Sequence, residues 1–299
     1  MHEARFRAMG SDCQVVVLGG GGDLLAAAER EVRRLEALWT RFSPDSETSR
    51  LNAAAGRALP VSAGTQMLMR RAIRAGRITG GRFDPLMGND MVALGYDRTF
   101  GALPVPADAT ARVAMAPAVR PAGASLRLDE ARGLVTVPAG RAFDPGGIGK
   151  GLAADMVSAG LVRAGAAGAL VNLGGDIRCR GAVPNDGWRI GIDDPRDPDA
   201  PSVATVVLQR GAVCTSGVLK RRWARPDGTV AHHLLDARTG MPTDAAVASV
   251  SAIARTGWMA DVLAKAVIVA GPDDGARLLR AHDAGAVVVL ADGEVRRLA

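Results

Sequence analysis

Residues 143–181 read FDPGGIGKGLAADMVSAGLVRAGAAGALVNLGGDIRCRG, and this stretch decides the fold class. A glycine-rich corner leads into a helix predicted from about Leu152, and a strand, ALVNL, follows. Gly174 and Gly175 then bend the chain into a second strand, and the alternating WRIGI (188–192) reads as a third. Outward from this centre the pattern repeats. RRWARPDGTVAHHLLD (221–236) is a hairpin turned by PDG, and SLRLDEARGLVTV (125–137) is another about DEARG. Toward the C-terminus come a strand (ASVSAIA), helices in GWMADVLAKAVIVAG and GARLLRAH, and strands in AVVVLA and EVRRLA. Antiparallel hairpins set among helices argue for a mixed α+β fold in two intergrown lobes, not a purely parallel doubly wound sheet.

The N-terminal part fits the same reading. CQVVVL from Cys13 has strand composition, and GGGG (19–22) breaks it before a helix over 23–42, where Leu24, Leu25, Ala28, Val32, Leu35, Leu38 and Trp39 form one apolar stripe. SPDSETSRLN (43–52) reads as a polar turn. A second helix is expected from Ser62 to Arg77, with Ser62 as N-cap and Gly80-Gly81 as the stop. Residues 101–124, rich in Ala and Pro, read as a surface insertion or connection. The whole of 1–299 is expected to be a single domain of two lobes.

Composition excludes several classes. With 48% hydrophobic and 23% charged residues the chain is neither disordered nor fibrous. The net charge of +6 comes from thirty-four arginines and three lysines, Lys150, Lys220 and Lys265, a skew that reads as coding bias. Aromatic content of 3% with one tyrosine offers few stacking platforms, so no nucleic-acid partner is expected. Cys13, Cys179 and Cys214 are odd in number and widely spaced, which suits buried thiols in a reducing compartment. No signal-peptide core, lipobox or membrane-spanning run stands in the sequence, and the expected location is the cytoplasm.

Four constellations can carry chemistry. In Phe143–Gly151 the glycines let backbone amides approach a ligand, the helix start favours an anion, and Lys150 adds a full charge; a glycine-rich cap and turn is the bland alternative. The segment fits neither a P-loop nor GxGxxG. Leu173–Ile177 (LGGDI) marks a close backbone approach or a bend, and Thr215-Ser216-Gly217 ends a strand with two hydroxyls. The neighbouring cations Lys220, Arg221, Arg222 and Arg225 read as a solvated face. His232 and His233 offer a general base, and on a strand only one of them looks into a site. Asp261 and Lys265 share a helix face and can pair.

Taken in order, RAMGSD, RFSPDSETSRLN, GGRFDPLMG, FDPGGIGKGLAAD, VNLGGDI, TSG, HHLLDARTGMP and ADVLAKA resemble the ApbE family of FAD:protein FMN transferases from about Met9 to Gly271. The resemblance implies an ApbE-like, T-fold-related architecture with a central flavin-binding cleft. It implies cleavage of the FAD pyrophosphate with Mg²⁺, transfer of FMN to a Thr or Ser hydroxyl of an acceptor protein such as a redox-complex subunit, and release of AMP. By the same resemblance Met9, Arg82, Phe83, Asp84, Asp144, Lys150 and Leu235 contact FAD. His233 is the base for the acceptor hydroxyl, and the Gly147 carbonyl and the Asp261 carboxylate bind metal.

One position departs from the family pattern: Lys265 stands where a metal-binding threonine is common, four residues after Asp261. An ammonium about 4 Å from a divalent ion meets roughly twice the ~4 kcal/mol of two unit charges at an effective dielectric near 20. Lys265 therefore either points away or pairs with Asp261 in place of part of the metal's charge. The second case leaves two alternatives to transfer open: an FAD-binding or flavin-trafficking protein, and an FAD pyrophosphatase.

Overall fold

The computed structural model describes residues 1–106, 125–197, 199–243 and 246–299. The elements in chain order are β1 (His2–Ala8), β2 (Ser11–Leu18), α1 (Asp23–Trp39), α2 (Glu47–Ala53), β3 (Leu59–Pro60), α3 (Ala63–Ile78), α4 (Gly88–Ala93), β4 (Arg127–Asp129) and β5 (Leu134–Thr136). They continue with α5 (Gly149–Arg163), β6 (Gly168–Leu173), β7 (Asp176–Gly181), β8 (Trp188–Ile192), β9 (Ala204–Leu208), β10 (Gly211–Gly217), β11 (Arg222–Ala224) and β12 (Val230–His232). The last are β13 (Val247–Ala254), α6 (Gly257–Ala270), α7 (Pro272–Arg280), β14 (Gly285–Leu290) and β15 (Val295–Leu298). The mixed α+β expectation holds. Two compact units are present, Met1–Glu36 with Ile148–Gly217 and Ala245–Ala299, and Ala37–Gly147 with Val218–Asp244.

The first unit is built on an antiparallel sheet in the order β1-β2-β6-β7-β10-β13-β14-β15. Strand alternation sorts its side chains onto two faces. Val16, Leu170, Cys179 and Val213 pack with Trp188, Ile190 and Ile192 of the β8–β9 ribbon. Val15, Val17, Val171, Asp176, Arg178 and Cys214 fall on the opposite side, where α5 lies on β6 and β7 and α6 on β10 and β13. Each fully buried Val or Leu of this core contributes about 1.5–3 kcal/mol. All three cysteines are free and buried, as expected.

The two helices touch closely. A Cβ on Gly151 would collide with the Gly257 carbonyl oxygen and stand 2.7 Å from Asp261 Cβ, and a Cβ on Gly257 would collide with the Gly151 carbonyl oxygen. Neither helix has a side-chain N-cap of its own. Instead Asp155 of α5 accepts the Gly257 and Trp258 amides of α6 (2.9 and 3.0 Å), and Asp261 of α6 accepts the Gly151 amide of α5 (3.1 Å).

In the second unit Ser62 caps α3 as predicted, accepting the Thr65 amide. The short strands order as β3-β5-β4, and the DEARG and PDG hairpins form. Met91, Leu94, Tyr96, Leu103, Trp223 and Ala231 make a core, with the Trp223 indole donating to the Leu94 carbonyl (2.8 Å).

Several expectations shift. SPDSETSRLN holds helix α2, whose N-cap Ser46 accepts the Ser49 amide (3.0 Å). Helix α5 begins at Gly149, so Lys150 lies in its first turn. The chain opens on edge strand β1, which contains His2. Of the Ala/Pro-rich segment 101–124, residues 107–124 lie outside the described residues. Among the described residues no helix is long and apolar enough to cross a membrane.

The crossing predicts a contrast within one helix. Gly151→Ala and Gly257→Ala should each lower stability by about 1–3 kcal/mol in urea unfolding, because backbone stands where the methyl must go. Gly160→Ala, also on α5 and within 4 Å only of Arg163 Nη2, should be neutral or gain about 0.5–1 kcal/mol. Equal stability of Gly151→Ala and Gly160→Ala would remove the crossing as a constraint.

Candidate functional site

In the first unit the glycine corner ends in the α5 N-terminus, and Lys150 points from its first turn to Asp176 at the start of β7. The Lys150 ammonium donates to Asp176 Oδ2 and to the Leu173 carbonyl (3.4 Å). The Gly174-Gly175 bend lies against this cation: a Cβ on Gly174 would meet Ser11 and stand 3.8 Å from Lys150 Nζ. This bend is thus a close approach. Ser11 follows the two-residue β1–β2 turn, where Met9 and Gly10 both have positive φ (52° and 63°), the geometry of a type I′ hairpin. The Met9 amide donates to Glu36 Oε1 (2.6 Å), which fixes that turn.

Beside this lies a second pair. Asp261 is fully buried on α6, and Lys265, one turn on, donates to its Oδ1. The same ammonium reaches Ser216 Oγ (3.2 Å) at the end of β10 and the Asp261 carbonyl (3.4 Å). Burial pushes the Asp261 carboxyl up, and the Asp176 charge adds to it, while Lys265 and Lys150 hold it back. Cys214, opposite Asp176 on the neighbouring strand, is pushed well above the ordinary thiol range by burial, and the Asp176 and Asp261 charges push the same way.

The second unit carries the remaining candidates. Arg82, Phe83 and Asp84 follow α3 in a turn held by Thr79, whose hydroxyl accepts the Phe83 amide (3.1 Å) and whose carbonyl accepts that of Arg82 (3.2 Å). Asp84 is paired with Arg141 (2.6 Å) and accepts the Leu86 amide (2.8 Å). The Asp144 amide donates to the Pro85 carbonyl (2.9 Å), which brings Asp84 and Asp144 into one neighbourhood. Asn52 clamps Phe143 through both backbone groups (2.8 and 2.9 Å). Asp144 then accepts Gly146 N–H (2.7 Å) and pairs with Arg41 (3.1 Å), while Gly147 closes the short 3₁₀ turn. Arg41 lies over the Phe42 and Tyr96 rings, 4.4 and 4.5 Å from their centroids. Leu235 packs on the cluster that holds Tyr96 and Trp223.

The two histidines divide. His232 Nδ1 accepts the Leu234 amide (3.3 Å), so its proton sits on Nε2, which donates to the Thr243 carbonyl (3.1 Å). Burial lowers its pKa from 6.5 to about 4. His233, the next residue, is half-buried beyond the end of β12.

The donor set at Asp261 does not suit a divalent ion. Both carboxylate oxygens are engaged, one by Lys265 and one by the Gly151 amide. Among the described residues no group of three or more His, Cys, Asp or Glu side chains gathers as a metal cage.

Sequence reasoning passed over Asp155, Asp176 and Arg41. Asp155 and Asp176 each interrupt an apolar run in an element with a buried face, and that interruption was the available signal. Arg41 carries no signal beyond standing next to Phe42.

Residues 9–290 match the ApbE family. The chain is 33% identical over 251 residues to the FAD:protein FMN transferase of Treponema pallidum (strain Nichols), covering 79% of this chain and 68% of that protein. It is 30% identical over 273 residues to the FAD:protein FMN transferase of Rhodobacter capsulatus, covering 90% of this chain and 51%, about half, of that relative. Its structure is similar to that of the ApbE protein of Thermotoga maritima, with TM-score 0.84, 27% identity and coverage of 99% of this chain and 96% of that one. The Pseudomonas stutzeri flavinyl transferase ApbE in its apo form shares the fold at TM-score 0.79, with 24% identity over 99% of this chain and 93% of that one. With a family match over nearly its whole length and relatives alike in sequence and in fold, this chain belongs to the ApbE family.

Proposed function

We propose that this chain is an FAD:protein FMN transferase. FAD is the substrate, a Thr or Ser hydroxyl of an acceptor protein is the nucleophile, and AMP is the leaving group. The observation that carries this reading is the first turn of α5 in a chain of this family: glycine-flanked amides at a helix N-terminus with Lys150 among them, suited to a pyrophosphate. Met9, Arg82, Phe83, Asp84, Asp144 and Leu235 are assigned to holding FAD.

In the step itself the acceptor oxygen attacks the phosphorus on the FMN side. Its proton passes to the His233 imidazole, the P–O bond to the AMP phosphate breaks, and the bonding electron pair leaves with AMP. Charge growing on the phosphoryl oxygens is opposed by the helix N-terminus and the Lys150 ammonium. His233 is assigned the proton because His232 has both ring nitrogens committed to backbone and stays neutral. With Asp261 engaged by Lys265, no step is routed through a metal. That pairing also favours a second reading, a flavin-binding protein that leaves FAD intact.

Incubation with FAD and a threonine-bearing acceptor domain, followed by mass spectrometry, separates the readings. The transferase leaves covalent FMN on the acceptor and releases AMP. FMN and AMP without a labelled acceptor indicate a pyrophosphatase, and intact bound FAD indicates the flavin binder. His233→Ala should slow transfer by about 10²–10⁴-fold while FAD binding holds. Equal loss of both would make His233 a binding residue.

The partner histidine gives a stability prediction. Because His232 titrates near 4 in the fold and near 6.5 when unfolded, the unfolded chain takes up the proton first as pH falls. Stability present above pH 6.5 is therefore lost toward pH 4, with a slope of up to about 1.4 kcal/mol per pH unit. Urea unfolding across that range should show the slope in the wild type and a shallower one in His232→Asn. An unchanged slope in the variant would assign the acid sensitivity elsewhere.

A further inference from the structure

The chemistry around Lys265 reaches past the assignment of transferase activity. An ammonium has three N–H donors, and three acceptors meet this one: Asp261 Oδ1, the Asp261 carbonyl and Ser216 Oγ. Its complement is full. The second Asp261 oxygen is taken by the Gly151 amide, so a divalent ion reaching that carboxylate must displace a hydrogen-bonded ammonium and then lie against it.

The neighbouring pair completes a charge balance. Lys150 and Asp176 lie close enough for both charges to act on Asp261. Two ammonium groups and two carboxylates sum to zero in a site where Asp176 and Asp261 are both buried. One acceptor stays open: Asp176 Oδ1 is buried and has no hydrogen-bond partner among the described residues. In a neutral cluster that oxygen calls for a neutral O–H or N–H donor, because a dication would leave two uncompensated charges in low dielectric.

We propose that Lys265 is the resident cation at Asp261, held by Ser216 and the α6 backbone, and that this chain handles FAD without a divalent metal at that carboxylate. The proposal rests on the FAD reading for its activity arm only. Its binding arm is independent of any reaction.

The test uses the full chain stripped with EDTA and titrated with MnCl₂ by electron paramagnetic resonance and thermal unfolding. The wild type should show no saturable Mn²⁺ binding into the millimolar range and no shift of Tm. Lys265→Thr, which removes the ammonium and restores a hydroxyl, should bind Mn²⁺ at least about tenfold more tightly than the wild type. With the threonine-bearing acceptor domain present, AMP release from FAD by the wild type should change by less than about twofold between EDTA and Mg²⁺, while that of Lys265→Thr should come to depend on Mg²⁺. Saturable Mn²⁺ binding by the wild type that is lost in Asp261→Asn or Asp176→Asn overturns the proposal, as does wild-type AMP release abolished by EDTA and restored by Mg²⁺. Should Lys265→Thr fail to fold, the wild-type titration decides by itself. Absence of AMP from both proteins under every metal condition with acceptor present counts against the transferase reading, and the Mn²⁺ titration still judges the cation.

Discussion

Helices α5 and α6 cross where Gly151 meets Gly257, and at that crossing each supplies what the first turn of the other lacks. An α-helix begins with amides that have no intrahelical acceptor, and burying them unmatched costs about 1–3 kcal/mol apiece. Here a carboxylate from the partner helix takes them: Asp155 for Gly257 and Trp258, Asp261 for Gly151. The reciprocity works only if the backbones nearly touch, which is why side chains are absent from both contact positions. It also brings in two negative charges, Asp261 buried and Asp155 half-buried, and each has its own cation: Arg178 of β7 pairs with Asp155 (2.9 Å), and Lys265 pairs with Asp261. The sheet below follows from this, since Arg178, Cys214 and Ser216 must alternate onto its helix-facing side to meet those groups.

The distribution of cations takes on a physical meaning at this point. Arginines serve where a planar fork can grip a carboxylate and lie on a ring or carbonyl: Arg141 holds Asp84 and the Leu86 carbonyl, and Arg41 joins Asp144 while covering Phe42 and Tyr96. Two of the three lysines stand where a compact ammonium has to reach several acceptors in a small space, Lys150 beside the Gly174 bend and Lys265 between α6 and β10. A guanidinium spreads its donors over a wider fork than these corners present. Where arginine is the common cation, these two lysines are explained by the geometry of their sites.

What could be read from the sequence followed from local periodicity and from special residues. Ser62 before an amphipathic run, Pro226-Asp227-Gly228 between strands and the continuous apolar run of β14 each dictate a local answer, and tertiary packing did not override it. Helix α5 starts earlier than periodicity predicts because Gly149 and Gly151 have poor helix propensity, and the contact that settles this first turn is with a segment more than a hundred residues away. Helix α2 was hidden in a stretch of Ser, Asp and Thr whose side chains favour turns as readily as caps; Ser46 resolves it by capping. Strand β1 alternates Ala4, Phe6 and Ala8 with charged residues, a pattern that an edge strand shares with a polar tail.

The candidate site shows the same boundary more sharply. A motif names Lys150 and Asp261, yet the chemistry of each is set by partners that lie outside its own motif: Asp176 for the first, Ser216 and the Gly151 amide for the second. An i,i+4 spacing allows Asp261 and Lys265 to pair, but spacing alone cannot tell a solvated surface pair, worth a fraction of a kcal/mol, from a buried one whose disruption costs about 3–5 kcal/mol. Burial decides between them, and burial comes from α6 lying with Asp261 against Gly151. The glycine that lets the helices meet is therefore also what removes water from the carboxylate. Once water is gone, that carboxylate has to keep a fixed cation, and the sequence of α6 provides it one turn away.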